Sequence, residues 1–206
     1  MDSIIVVYDN DDVLFPLNEI ICAKRSIDIH KITDFYINSN ARLTPAEKEI
    51  IMQDYKDPNT FANMHYYEGA ERIKEVEKLS KLVQVWICSN SFSKEIANHK
   101  YRQLPIITGI TPDRIVLNVI NSENNTEKKL PDNTTIFIDD SPYNIAKSNA
   151  KLNIMVKQPW NMSTRAIELA SSSSGVLRVA KNTLEANSIV VENVKELIRK
   201  GKTNEA

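Results

Sequence analysis

The chain has 206 residues, of which 42% are hydrophobic, enough for one α/β domain with an insertion or for two small domains around a sizeable core. Its formal net charge of -1 gives no general attraction to nucleic acid or to an anionic membrane, and no segment approaches the roughly 20 apolar residues of a membrane span. Two cysteines without metal-type spacing, Cys22 and Cys88, and the lack of a basic leader segment point to a reduced, cytoplasmic setting.

In chain order, Ile4-Ile5-Val6-Val7-Tyr8 is an apolar run that fits a strand covered on both faces, as in a parallel sheet. It runs directly into Asp9-Asn10-Asp11-Asp12. Acids at that end of a strand sit where open α/β sheets bind ligands. Like charges so close repel, and need a shared proton or a cation. A hard divalent cation with oxygen ligands is the simplest remedy.

Residues 16–68 are helical in pattern and polar-amphipathic, too long for a plain crossover, and are expected to form a small α-helical cap inserted after strand one. One candidate helix is Leu17 to Ile29. Thr44-Pro45-Ala46-Glu47 is the start signal of another, reaching about Tyr55, with Asp57-Pro58 ending it. From Gly69 to Leu82 the spacing of Ala70, Ile73, Val76, Leu79 and Leu82 predicts a core-facing helix. Strands are predicted at 83–88, 114–119, 135–138, 153–156 and 176–180, with helices at 93–103, 143–149 and 188–200. Residues 122–129 are expected to form a loop, and 171–175 a flexible connector. This alternation predicts an α/β fold with a doubly wound, mostly parallel sheet: a core of 1–15 and 69–206, and the cap over 16–68.

Strand ends of a parallel sheet share one edge. Asp9, Asp11 and Asp12 would therefore meet Ser89 and Asn90 of the second strand, and Asp139 and Asp140 of the fourth. Two acid clusters there can hold Mg²⁺ and leave positions for a phosphate. A hydroxyl and an amide can bond phosphate oxygens, and a lysine is wanted to offset their charge. Lys128-Lys129 lies just before the fourth strand; Lys100 is another candidate.

The ordered set resembles the haloacid dehalogenase (HAD) superfamily of phosphatases. Asp9-Asn10-Asp11 matches its Asp-x-Asp, Val85-Trp86-Ile87-Cys88-Ser89 its strand ending in Ser or Thr, Lys129 its lysine, and Ile136-Phe137-Ile138-Asp139-Asp140 its acidic strand end. Within the superfamily the chain is similar to the 5'(3')-deoxyribonucleotidase family. The inserted cap, the turn Tyr66 to Ala70 and Gln158-Pro159-Trp160-Asn161 carry that likeness. One departure is Asp12, where the family usually has Gly.

The resemblance implies a Mg²⁺-dependent phosphomonoesterase acting on nucleoside monophosphates, deoxyribonucleotides above all. It implies Asp9 as nucleophile and Asp11 as proton carrier. The Asp9 carboxylate, the Asp11 carbonyl and Asp139 or Asp140 would be metal ligands, and Ser89, Asn90 and Lys129 would hold phosphate. Phe61 and Asn63 of the cap are candidate substrate contacts. The expected partner is a small-molecule phosphomonoester, with no nucleic acid and no membrane; a homodimer is left open. Two alternatives stay open: a phosphatase for another small metabolite such as a sugar phosphate, and a catalytically silent binding domain on the same fold.

Overall fold

The computed structural model describes residues 3–62, 70–120, 128 and 130–203, and of 70–73 and 201–203 only the backbone. Its centre is a six-stranded sheet in the order β3-β2-β1-β4-β5-β6. The strands are β1 (Ile5–Tyr8), β2 (Gln84–Ser91), β3 (Ile115–Val119), β4 (Ile136–Asp139), β5 (Leu152–Val156) and β6 (Val176–Ala180). All five pairings are parallel.

Alternate residues of the strands enter different cores. Val6, Tyr8, Ile87, Ile138 and Ile154 belong to one hydrophobic cluster, and Ile5, Val7, Cys88, Phe137 and Met155 to another. The sheet is therefore covered on both faces, which is why its strands read as unbroken apolar runs. Every residue of β1 is buried. Its register pairs Tyr8 with both Ile87 and Ile138, so the residues that follow these three strands emerge side by side.

Between β1 and β2 lie α1 (Leu17–Arg25), 3-10 turns at Ile29–Lys31 and Ile37–Ser39, α2 (Pro45–Lys56), α3 (Pro58–Phe61) and α4 (Ala70–Ser80). The start signal at Thr44 forms a full capping box. Thr44 Oγ1 accepts from the Glu47 N–H at 3.2 Å, and Glu47 Oε2 accepts from the Thr44 N–H at 2.7 Å. Asp54 fastens α2 to α1 through Lys24 at 2.8 Å and Arg25 at 2.6 Å.

Several expectations shift. The helix α1 ends at Arg25 rather than Ile29, because Ser26 turns left-handed at φ 54°. Leu82, expected in the core, is 65% exposed, since α4 stops at Ser80 and the chain turns away before β2. The helix α5 (Lys94–Thr108) continues through Pro105, which forms no N–H bond of its own, and ends at Gly109 with φ 68°. The short helix α6 is Pro142–Ala146 rather than 143–149. A helix missed in the sequence, α7 (Thr164–Ser171), is capped by Ser163 and carries the crossover from β5 to β6. The last helix, α8 (Thr183–Thr203), starts five residues before the expected Ser188. Of the expected loop 122–129, only Lys128 is among the described residues, and residues 66–69 of the turn before α4 are outside them.

Candidate functional site

The site is built on strand ends. Asp9 follows β1, and its N–H donates to the Ile138 carbonyl at 2.8 Å, continuing the ladder to β4. Asp139 is the last residue of β4, and Asp140 begins the turn into α6. Asp9, Asp139 and Asp140 are all buried, and each offers an oxygen within 4.8 Å of the others. An all-oxygen donor set of buried carboxylates suits a hard divalent cation, so these three residues can hold one.

Lys128 bridges two of them. Its Nζ lies 2.7 Å from Asp9 Oδ1 and 2.7 Å from Asp139 Oδ2. Burial works against the ammonium charge, yet Asp139 and Asp9 outweigh it and hold the Lys128 pKa above its usual value. Burial is also the main reason the Asp9 carboxyl is pushed up to about 7; Lys128 pulls it down, while Asp139 and Asp11 add to the rise. The Asp140 pKa is raised by burial and then by Asp12, Asp139 and Asp9, against a bond from Trp160 Nε1 at 2.7 Å. Asp139 accepts from the Ser141 N–H at 2.8 Å and from Asn144 Nδ2 at 3.1 Å.

A second charge pair stands beside the first. Lys100, on α5, is fully buried, and its Nζ reaches Asp11 Oδ2 at 2.5 Å, Ser89 Oγ at 2.9 Å and the Asn90 carbonyl at 2.8 Å. Ser89, Asn90 and Asp11 are thus brought together as the sequence placed them. Lys129 and Asn63 lie outside the described residues. Phe61 lines the cavity over the acids, but its ring carries the Lys100 ammonium 4.8 Å from its centroid and packs 6.3 Å from Phe15.

Asp12 takes a structural position. It has φ 60°, a backbone conformation that favours glycine. Its Oδ1 accepts from the Asn18 N–H at 2.8 Å and its Oδ2 from Asn18 Nδ2 at 2.6 Å. Pro16, at the start of α1, makes no capping bond, so Asp12 caps the helix from four residues further back. Tyr55 in turn bonds Asn18, and Gln158 Nε2 donates to the Asp12 carbonyl at 2.7 Å. Gln158 and Trp160, which the sequence marked only as part of the segment carrying the family likeness, therefore fasten both acid loops. No local pattern marks Asn144, and the sequence marks Lys100 only as one of several candidate lysines. Each faces the site because of the helix it rides on.

Above the acids is a cavity of about 330 Å³. Its floor is Asp9, Asp11, Lys100 and Lys128, and its walls include Tyr55, Phe92, Phe35, Tyr36 and Met52. Tyr55 and Phe92 stack at 6.0 Å with their planes 24° apart. One compartment thus joins a charged base to aromatic sides.

A scan of protein-family models finds no match for the chain, and a search of curated protein sequences finds none either. Solved structures do match. A hydrolase from Pseudomonas syringae aligns with TM-score 0.47 and 12% identity over 92% of this chain and 98% of that one. A β-phosphoglucomutase from Clostridium difficile aligns at 0.38 and 15% over 96% and 99%. A haloacid dehalogenase-like hydrolase from Burkholderia xenovorans aligns at 0.51 and 12% over 92% and 97%. The parallel α/β fold of this chain is the fold of that haloacid dehalogenase-like hydrolase.

Proposed function

We propose that the chain is a phosphomonoesterase that uses Mg²⁺ and acts on nucleoside monophosphates, deoxyribonucleotides first. The observation that supports it best is the pairing of two buried lysines with the acids: Lys128 between Asp9 and Asp139, and Lys100 on Asp11. Such a floor presents a nucleophile, a proton carrier and positive charge for a phosphoryl group. The acid motifs in family order, and the fold shared with a haloacid dehalogenase-like hydrolase, agree with it.

In the first step an Asp9 oxygen attacks phosphorus. A bond forms between them as the bond from phosphorus to the leaving oxygen breaks, and Asp11 passes a proton to that oxygen. In the second step Asp11 takes a proton from water. The water oxygen bonds to phosphorus, and the Asp9 oxygen leaves with inorganic phosphate as the product. Lys100 and Ser89 hold the Asp11 carboxylate on the side of the cavity. Lys128 holds Asp9. Asp9, Asp139 and Asp140 would hold Mg²⁺, which supplies charge stabilisation to the phosphoryl oxygens when bound. The segment inserted after β1, in its described residues 16–62, would be the cap that excludes water.

The aromatic walls favour a nucleotide over a sugar phosphate. Tyr55, Phe92, Phe35 and Tyr36 offer aromatic rings to a base. A panel of dTMP, dUMP, sugar phosphates and p-nitrophenyl phosphate, with and without Mg²⁺, tests this. Nucleotide turnover that requires Mg²⁺ and is lost in Asp9→Asn is expected. A preference for sugar phosphates, or wild-type turnover by Asp9→Asn, would sink the proposal.

A further inference from the structure

The cavity over the acids is not closed by backbone on every side. Phe35, Tyr36 and Trp160 also line a second cavity, of about 490 Å³, on their far side. The partition between the two is therefore made of side-chain rings.

Those rings are braced. Tyr143, on α6 three residues beyond Asp140, lines the second cavity and meets Tyr36 at 4.9 Å and Phe35 at 5.8 Å between centroids. Phe35 and Tyr36 meet each other edge-on at 5.5 Å. The loop that carries them is fixed by the fully buried Asn40. Its Oδ1 accepts from the Thr33 and Asp34 N–H groups at 2.5 and 2.8 Å, and its Nδ2 donates to the Asp34 and Tyr36 carbonyls at 3.0 Å. The backbone of the partition is thus held in place, while the Tyr36 side chain itself is exposed. What keeps its ring in line is contact with Phe35 and Tyr143.

The space on each side differs in chemistry. The first cavity, at about 330 Å³, is at the small end of the ~300–1,000 Å³ found for ligand pockets. It suits one nucleotide. The second is rimmed by Thr33, Ser163 and Arg165 and also by the carboxylates of Asp34 and Glu168, so its charge is mixed.

We propose that Tyr143 is a positioning residue that, by bracing Tyr36, limits the substrate to a single nucleotide and shuts a 5'-phosphorylated dinucleotide out of the space behind the partition. This rests on the phosphomonoesterase reading.

The test compares kcat/KM for dTMP and for the 5'-phosphorylated thymidine dinucleotide. The wild type, Tyr143→Ala, Tyr143→Phe and Tyr36→Ala are measured with Mg²⁺, and thermal melts check that each variant folds. The wild type is expected to favour dTMP by about tenfold or more, and each alanine variant to lose about tenfold of that preference. Tyr143→Phe keeps it, because the brace is the ring and not the hydroxyl. Equal treatment of both substrates by the wild type, or an unchanged preference in both alanine variants, would overturn the proposal. If the wild type turns over neither nucleotide nor p-nitrophenyl phosphate, the phosphatase reading is what has failed. The partition is then judged by calorimetric dissociation constants of the same two nucleotides: the same shift in ratio supports it, and no shift, or no binding, overturns it.

Discussion

Lys100 Nζ sits 2.5 Å from Asp11 Oδ2 in a fully buried position, with the Phe61 ring 4.8 Å from the ammonium. A lysine so placed fixes the rotamer of the acid proposed to move protons. Lys100→Met keeps the length and apolar stem but frees Asp11. We expect kcat for p-nitrophenyl phosphate to fall by about 10²-fold, the scale of losing one preorganised donor. Steady-state kinetics at saturating Mg²⁺ check this, and an unchanged kcat would remove Lys100 from the mechanism.

Asp12 combines φ 60° with the cap of α1, so its two substitutions separate backbone from side chain. Asp12→Gly loses the bonds to Asn18 and relaxes the backbone. Asp12→Ala loses the bonds and keeps the left-handed strain, which costs about 1–2 kcal/mol for a residue with a Cβ. Both are expected to be less stable than the wild type, with Ala below Gly by about 1 kcal/mol. Urea melts give the order, and Ala at or above Gly would contradict it.

The Asp54 carboxyl is held below the usual carboxylate range, first by its bond from Arg25 and also by Lys24, against the cost of burial. A lowered folded pKa gives stability that is present above the unfolded value, about 3.9, and is lost as pH falls through the folded pKa. Asp54→Asn should therefore cost about 1 kcal/mol at pH 7, since both cations are partly solvated, with the gap to wild type closing below about pH 4. Denaturant midpoints from pH 7 down to 3 would show it. A gap independent of pH would mean that the ion pairs contribute nothing.

A Cβ on Gly175 would lie 2.0 Å from the Ala150 carbonyl oxygen and 2.9 Å from that of Lys151. Both neighbours are backbone and cannot rotate aside. The Val176 N–H donates to the Lys151 carbonyl at 3.0 Å, so relief of the clash pulls on the first pairing of β6. Gly175→Ala is expected to destabilise by more than about 3 kcal/mol, beyond an ordinary point substitution. A thermal melt near that of the wild type would contradict this.

The doubly wound sheet was legible because strands buried on both faces carry unbroken apolar runs, as at Ile4–Tyr8 and Ile136–Ile138. The capping box at Thr44 was legible because its whole signature lies within four consecutive residues. Helix α7 was not read, although Ser163 marks its start and Ala166, Leu169 and Ala170 are spaced by three and four: eight residues are too short for that spacing to stand out, and the parallel step from β5 to β6 is what requires the helix. Asp9, Asp11, Ser89 and the Asp139-Asp140 pair could be gathered from strand ends alone. Lys100 could be named only as one candidate lysine among several, because its place on Asp11 and Ser89 depends on how α5 packs. The bond from Trp160 to Asp140 likewise spans 20 residues and joins two loops that only the folded sheet makes neighbours.

Thr183 Oγ1 donates to the Val13 carbonyl at 2.5 Å across 170 residues, and Tyr8 donates to Asn187 at 3.0 Å across 179. The loop that carries Asp9 and Asp11 is thus steadied by a helix made long after it. At roughly 5–20 residues per second on the ribosome, the acids wait on the order of ten seconds or more for that support. Until α8 is made, the loop lacks those two bonds.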